Sequence, residues 1–379
     1  MNQKRSIFEE VSTSEKPEPQ AATGIIDRAY KGARGAIRIW LMVLFAMVVV
    51  MIAVGGLTRL TDSGLSITEW KPVTGAMPPM SAEVWASEFE KYKAIPEYQE
   101  QNKGMSMAEF KVIYWWEWGH RQLGRAIGLV WALGFGFFAV TRKIPTGWTG
   151  KLLGVGALGG LQGAIGWWMV ASGLEEGMLD VASYRLATHL GLAFVILGVL
   201  AWFIFQLGAT EADLMQRRRA REAKLFKLSA ILAGIAFVQI LLGALVAGID
   251  AGRNYVDWPL MAGGFFPPEP FSLQPAWRNF FENDGLVQFM HRIVAYILFA
   301  KGIFVWWRAR SSPNGSTRFA FNLVIGVMTV QMVLGIVTVM NSAPWNLAIG
   351  HQFLAVVLWV SILRARFLAG YPQSQSVRD

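Results

Sequence analysis

Runs of about twenty apolar residues recur along this chain, each long enough as a helix to cross ~30 Å of hydrocarbon. Eight can be marked, at residues 37–60, 123–140, 152–171, 187–207, 228–249, 287–307, 319–340 and 347–363. Inside a bilayer every backbone N–H and C=O must find a partner within the protein, and at these lengths the helix provides it. With 54% hydrophobic and only 16% charged residues, the chain reads as an all-α integral membrane protein, not a soluble domain.

The net charge of +9 is unevenly placed. Lys4, Arg5, Arg28, Lys31, Arg34 and Arg38 precede or open the first run, and Arg142, Lys143 and Lys151 separate the second from the third. Arg217, Arg218, Arg219, Arg221, Lys224 and Lys227 separate the fourth from the fifth, Arg308, Arg310 and Arg318 the sixth from the seventh, and Arg364 and Arg366 close the last. All these clusters fall on one side, so the positive-inside rule predicts cytoplasmic termini. The basic residues are thereby accounted for as topology signals with some contact to anionic lipid, and no nucleic-acid partner is called for. Residues 1–34 are polar, hold Pro17 and Pro19 and lack an apolar h-region, so they are expected to be a disordered cytoplasmic tail and not a cleaved signal peptide. Glu9, Glu10, Glu15 and Glu18 do not suit a transit peptide, which points to a bacterial inner membrane. The absence of cysteine excludes disulfides, thiolate metal sites and cysteine nucleophiles.

The chain also repeats itself. Gly55, Asp62, Gly64, Glu69-Trp70, Gly75 and Pro79 match Gly243, Asp250, Gly252, Asp257-Trp258, Gly263 and Pro267 at one constant offset. Further on, His120-Arg121 matches His291-Arg292, Gln162 and Gly166 match Gln331 and Gly335, and His189 matches His351. An even number of spans per half makes these parallel repeats. The expected architecture is two four-helix bundles, 35–207 and 228–366, joined by a basic linker at 208–227 and followed by a tail at 367–379. Two long outer loops, about 61–112 and 250–285, carry Trp and Pro suited to an amphipathic cover at the interface.

All four histidines belong to this repeat, and each opens a span running from outside to inside. In each half the two imidazoles should therefore lie at similar depth and face across the bundle. A single histidine at a helix end is more often a satisfied polar residue than a ligand. Four in register, two per half, favour metal or haem ligation. A zinc site is disfavoured because no carboxylate or thiolate completes a tetrahedral set in the second half; two imidazoles in an apolar bundle suit a porphyrin.

Glu117 lies one turn before His120, where the bland account is an acid at a helix N-terminus. Its counterpart before His291 is Gln288, so the symmetry breaks where chemistry would need a base. Arg121, Arg125 and Arg292 need partners at membrane depth, for which haem propionates would serve. Arg59 and Arg185 are further candidates, although snorkelling explains them nearly as well. Gln162 and Gln331 can bond across helices, and Gly163, Gly166 and Gly335 permit close approach.

At Glu117-Trp118-Gly119-His120-Arg121-Gln122-Leu123-Gly124-Arg125, and in the stretch from Gly55 through Trp70 to Pro79, the chain resembles the haem A synthase family. The resemblance covers essentially all eight spans. It implies oxidation of a pyrrole methyl of haem O to the formyl group of haem A, with His120 and His189 serving the substrate haem. It further implies haem b as cofactor on His291 and His351, with Glu117 acting at the methyl. Haem O, a haem O synthase, an electron acceptor of unstated identity and membrane lipids are then the partners, and a homo-oligomer is compatible with the chain. Some family members carry cysteine pairs in outer loops; this chain has none, so no thiol relay operates. The alternative from another class is a di-haem electron-transfer cytochrome, which would ordinarily place haems at both faces and leaves Glu117 without a duty. A haem exporter fits less well, because the spans lack a transporter's broken helices.

Overall fold

The computed structural model describes residues 25–373. Of the disordered tail expected at 1–34 and the tail expected at 367–379, residues 1–24 and 374–379 lie outside the described residues. Eight helices are long and apolar enough to cross a membrane. They are α1 (Ile25–Leu60), α2 (Met107–Val140), α3 (Thr149–Gly173), α4 (Ser183–Leu207), α5 (Ala223–Gly248), α6 (Asp284–Ala309), α7 (Gly315–Met340) and α8 (Trp345–Gly370). Among the described residues no β-strand forms. α1 is already helical at Ile25, inside the stretch assigned to the tail, since no proline interrupts 25–36. α8 likewise passes the expected boundary at 366, and the basic linker folds in part as a short helix, Glu211–Arg219, closed at its start by a Thr210–Asp213 capping box.

Each half closes into a ring of four. α1 packs on α2 and α4, while α3 packs on α2 and α4; α5 packs on α6 and α8, while α7 packs on α6 and α8. The His-bearing helices α2 and α4 thus stand diagonally across one bundle, and α6 and α8 across the other. The rings share a wall: α4 touches α5 and α8, and α1 touches α8. Accordingly α4 and α8 are the most buried spans, whereas α2 and α3 turn most of their surface outward.

Close approach at the wall depends on small residues, since lipid supplies no hydrophobic drive between helices. Gly198 of α4 lies against Leu363 and Trp359 of α8, and Gly191 against Leu241 of α5. The Trp359 indole N–H donates to the Phe194 carbonyl at 3.0 Å. From α8, Gln352 Nε2 donates to the Ile52 carbonyl of α1 at 2.7 Å.

The loop end is more ordered than a simple cover. α2 has 34 residues, roughly 50 Å at 1.5 Å per residue, so it outruns the hydrocarbon. Its start is fixed by a capping box in which Ser106 Oγ accepts from Glu109 N and Glu109 Oε2 accepts from Ser106 N. Against the protruding turns packs an amphipathic helix, Ala82–Lys93, whose Trp85, Phe89 and Tyr92 meet Phe110, Ile113 and Tyr114. Phe89 stacks on Phe110 with centroids 4.7 Å apart.

Under this cluster, Glu97 is buried at 3% exposure. Its Oε1 accepts from Tyr92 Oη at 2.9 Å and Asn102 Nδ2 at 3.3 Å. Burial pushes its carboxyl from an ordinary 4.5 up to about 8, against the Tyr92 hydrogen bond. A raised carboxyl holds its proton better folded than unfolded, so its contribution to stability is whole below about 4.5 and lost as pH rises through about 8. Glu97→Gln is therefore expected to unfold at a higher temperature than the parent above pH 8 and at a similar temperature near pH 4.5. Thermal unfolding across that range checks it.

Candidate functional site

The four imidazoles are each seated against a glycine of the preceding span. A Cβ built on Gly55 of α1 would lie 3.2 Å from His120 Nε2. One on Gly166 of α3 would lie 2.9 Å from His189 Cε1, one on Gly243 of α5 would lie 3.1 Å from His291 Cε1, and one on Gly335 of α7 would lie 2.8 Å from His351 Cε1. A methyl at any of the four would have to displace the ring or the helix. Glycine is what lets a ring of this size occupy the gap between two adjacent helices.

Three of the rings also meet a glutamine one turn before that glycine. Gln162 Nε2 lies 3.2 Å from His189 Nδ1, Gln239 Nε2 lies 3.0 Å from His291 Nδ1, and Gln331 Nε2 lies 3.4 Å from His351 Nε2. Gln162 and Gln331 also donate to the backbone carbonyl of their own histidine, at 3.0 and 3.1 Å. Gln239 escaped the sequence comparison because its counterpart in the first half is Met51. The spacing Gln-x-x-x-Gly, read within single spans, would have found it.

Glu117 and Gln288 hold equivalent places with opposite polarity. Both are buried at 3% exposure. Glu117 Oε2 accepts from Ser66 Oγ and from the Ile67 backbone N–H, both at 2.7 Å. Its Oε1 accepts from Arg121 Nε at 3.0 Å and Nη2 at 2.5 Å. Arg121 in turn reaches the Ile67 and Glu69 carbonyls. In the second half Gln288 Nε2 donates to the Ala251 and Asn254 carbonyls, both at 2.7 Å, and its Oε1 accepts from Arg292 Nη2 at 2.7 Å. Arg292 reaches the Tyr255 and Leu260 carbonyls. Each pair clamps an outer loop to its span. The first clamp presents donors to a carboxylate; the second presents carbonyls to an amide. Ser66, silent in the sequence, is part of the first.

The remaining arginines named from sequence also have protein partners. Arg59 joins the halves, pairing with Asp62 at 2.8 Å, Asp250 at 3.0 Å and Asp180 at 3.4 Å. Burial raises the Asp180 carboxyl to about 6, against the attraction of Arg59. Arg125 donates to the Pro72 and Lys71 carbonyls. Arg185 donates to the Trp168 carbonyl, pairs with Glu175 at 3.6 Å and lies over the Trp168 ring.

Several buried donors are left over. Arg59 Nε, Arg125 Nη1 and Trp118 Nε1 have no partner among the described residues. Buried polar groups are ordinarily satisfied, so these are the groups an anionic ligand such as a propionate could take. His351 Nδ1 is also without a partner. Among the described residues no three His, Asp or Glu side chains converge as a metal cage. Diagonal imidazole pairs, glycine-lined seats, apolar walls and spare donors at one end are the features a haem between two histidines requires, and the residues present fit that group.

A polytopic helical membrane protein with two histidine pairs, one in each repeated bundle, is the class that fold and site define. The chain belongs to the cytochrome oxidase assembly protein family, whose model matches residues 38–363. It is 66% identical to the heme A synthase of Dinoroseobacter shibae over 379 residues, covering 100% of this chain and 99% of that protein. The heme A synthase of Ruegeria sp. strain TM1040 is 65% identical over 376 residues, covering 99% of each chain. That of Paracoccus denitrificans is 58% identical over 375 residues, covering 99% of this chain and 98% of the relative.

The two clamps make a prediction. Glu117→Gln turns an amide N–H₂ toward either the Ile67 N–H or the Arg121 guanidinium, which only donate, and Gln288→Glu turns a carboxylate toward carbonyls. Each exchange is expected to cost about 1–3 kcal/mol through unsatisfied buried groups, read as a lowered unfolding temperature in detergent. Equal stability of either variant with the parent would remove the clamp from the account.

Proposed function

We propose that the chain is a haem A synthase, which oxidises a pyrrole methyl of haem O to a formyl group. The observation that carries this is an asymmetry within a repeat: two equivalent histidine pairs, of which only the first has a buried carboxylate one turn away. The relatives named above support the same reading. His120 and His189 serve the substrate haem, and His291 and His351 hold haem b. Haem b, when bound there, supplies a one-electron redox centre. Arg125 and Trp118 provide donors for substrate propionates in the first half, with Arg59, Arg121 and Arg185 around them; Arg292 stands at the equivalent place in the second.

Each oxidation step removes an electron pair and two protons from the substrate carbon and one water, forming one C–O bond. Two steps give a gem-diol, which loses water to leave the aldehyde. Electrons pass to an acceptor outside the chain. Glu117, fixed by Ser66, Ile67 and Arg121, is a negative charge beside the reacting carbon. It stabilises the positive charge that develops there and accepts a proton from the attacking water. The distribution of basic residues supports a reading in which the termini are cytoplasmic and the loop end, with both histidine pairs, lies at the outer face of a bacterial inner membrane.

Purified protein given haem O and assayed by pigment chromatography tests the reading. His120→Ala and His189→Ala are expected to keep the haem b spectrum and stop conversion; His291→Ala and His351→Ala are expected to lose that spectrum. Glu117→Gln is expected to lose ~10²–10⁴ in rate. Ser66→Ala, which removes one clamp donor but leaves the carboxylate, is expected to keep most of the activity. Failure of the parent protein to convert haem O, or near-normal haem A from Glu117→Gln, overturns the corresponding assignment.

A further inference from the structure

The two halves differ again at the end of the molecule away from the loops. There the seam between α1 and α2 is filled by Trp40. Its indole N–H donates to the Val130 carbonyl at 3.0 Å, and the ring lies against Gly134 so closely that no Cβ could be added there. At the constant offset that relates Gly55 to Gly243, the counterpart of Trp40 is Leu228 of α5. The shorter side chain leaves a cavity of about 280 Å³ beside it, at the corresponding seam between α5 and α6. One turn further along the same face of α5 a second hollow follows, of about 520 Å³. Its walls are Ile231 and Ile235 of α5 and Ile297, Ala300, Lys301 and Phe304 of α6. Ile231, Ile297 and Phe304 are exposed, so this groove opens outward and not into the bundle.

Charge follows the same division. Lys224 and Arg308 stand in the wall of the first hollow and Lys301 in that of the second. Their counterparts in the first half are Ala36, at the offset of Gly55 and Gly243, and Phe137 and Val130, at the offset of His120 and His291. Among the described residues none of the three cations is ion-paired. Glu222 shares the wall, but its Oε1 accepts from Ser312 Oγ and Asn314 Nδ2, both at 2.9 Å. One carboxylate leaves the groove with an excess of positive charge. Lys301 lies about 12 Å inside the end of α6 at Ala309, where a cation calls for a partner. Its stem carries the ammonium back towards that end, to 5.1 Å from the centre of the Phe304 ring.

We propose that the α5–α6 seam binds one anionic phospholipid, with its phosphate between Lys224 and Arg308 and an acyl chain laid along Leu228, Ile231 and Ile235. The dimensions agree: α5 from Lys224 to Ile235 rises about 16 Å, and one leaflet is half of a ~30 Å hydrocarbon layer. Basic pockets between spans are where anionic headgroups are held, and here an apolar groove of one leaflet's depth continues directly from such a pocket. A zwitterionic lipid would bring its own cation and leave the excess charge unanswered. The other basic clusters meet the membrane surface as a whole, whereas this seam takes a single molecule in the place that Trp40 fills in the first half. The lipid thereby braces α6, the span that carries His291. The site is independent of what the histidines bind.

Full-length protein in mild detergent, stripped of lipid and titrated with phosphatidylglycerol or with phosphatidylcholine of the same acyl chains, tests this. Bound lipid is counted by native mass spectrometry, and thermal unfolding is followed in parallel. One phosphatidylglycerol is expected to bind and to raise the unfolding temperature, with phosphatidylcholine weaker by about tenfold or more. The double variant Lys224→Gln/Arg308→Gln is expected to lose about tenfold or more in phosphatidylglycerol affinity. Lys227→Gln, at an exposed position outside the cavity wall, is expected to keep the parental affinity. Leu228→Trp, which gives the seam the filling of the first half, is expected to exclude the lipid and to unfold, lipid-free, no lower than the parent. Equal binding of the two lipids overturns the proposal, and so does parental affinity in the double variant. The same thermal shift with inorganic phosphate alone also overturns it, since the site would then take an anion without a chain. If the double variant does not fold, Leu228→Trp decides, because parental phosphatidylglycerol binding there leaves no role for the groove.

Discussion

A glycine backbone pressed against an imidazole edge is the contact on which the rest of this molecule depends. It is made four times, between each odd-numbered span and the one after it. A ring at membrane depth cannot turn to water, so it must be enclosed by helices and left with polar atoms that something else can use. Removing the facing side chain allows the helices to close around the ring without displacing it. The diagonal placement of α2 against α4 and of α6 against α8 then aims each pair of rings into the centre of its own bundle.

Around that shared contact the halves diverge by single residues. The clamp at the loop end survives in both, because its arginine serves loop carbonyls in either case. Its other member changes from carboxylate to amide, and the loop changes with it, from Ser66 and the Ile67 N–H to the Ala251 and Asn254 carbonyls. The charge at Glu117 is therefore supported by a complementary surrounding, and swapping the two residues is not conservative on either side. Gln288 shows that an amide is compatible with the helix position; the first loop, by contrast, surrounds that position with Ser66, the Ile67 N–H and Arg121, which suit a carboxylate.

The shared wall makes the pair of bundles one body. Trp359 and Gln352 bond across it within the spans, and Arg59 gathers Asp62, Asp180 and Asp250 at the loop end. Arg59 was marked in the sequence as a propionate contact or a snorkelling cation. Most of its charge is instead answered by three carboxylates from both halves, with only Nε left over.

The number of the spans, the repeat, and the common register of the four histidines were determined by the sequence, because hydrocarbon thickness and hydrogen-bond satisfaction admit few solutions for apolar runs of this length. The Glu117 and Gln288 difference was legible for the same reason: it is a break in a pattern already in view. Partnerships between residues distant along the chain were decided only by the tertiary structure. Nothing in the sequence tied Ser66 to Glu117, Glu97 to Tyr92 beneath the aromatic cluster, or Asp180 to Arg59. The glutamine seats of the histidines were half visible, since Gln162 and Gln331 recur between halves while Gln239 is hidden opposite Met51. A helix reports its own face by periodicity, but which neighbour that face meets depends on packing angles and loop paths that no local pattern encodes.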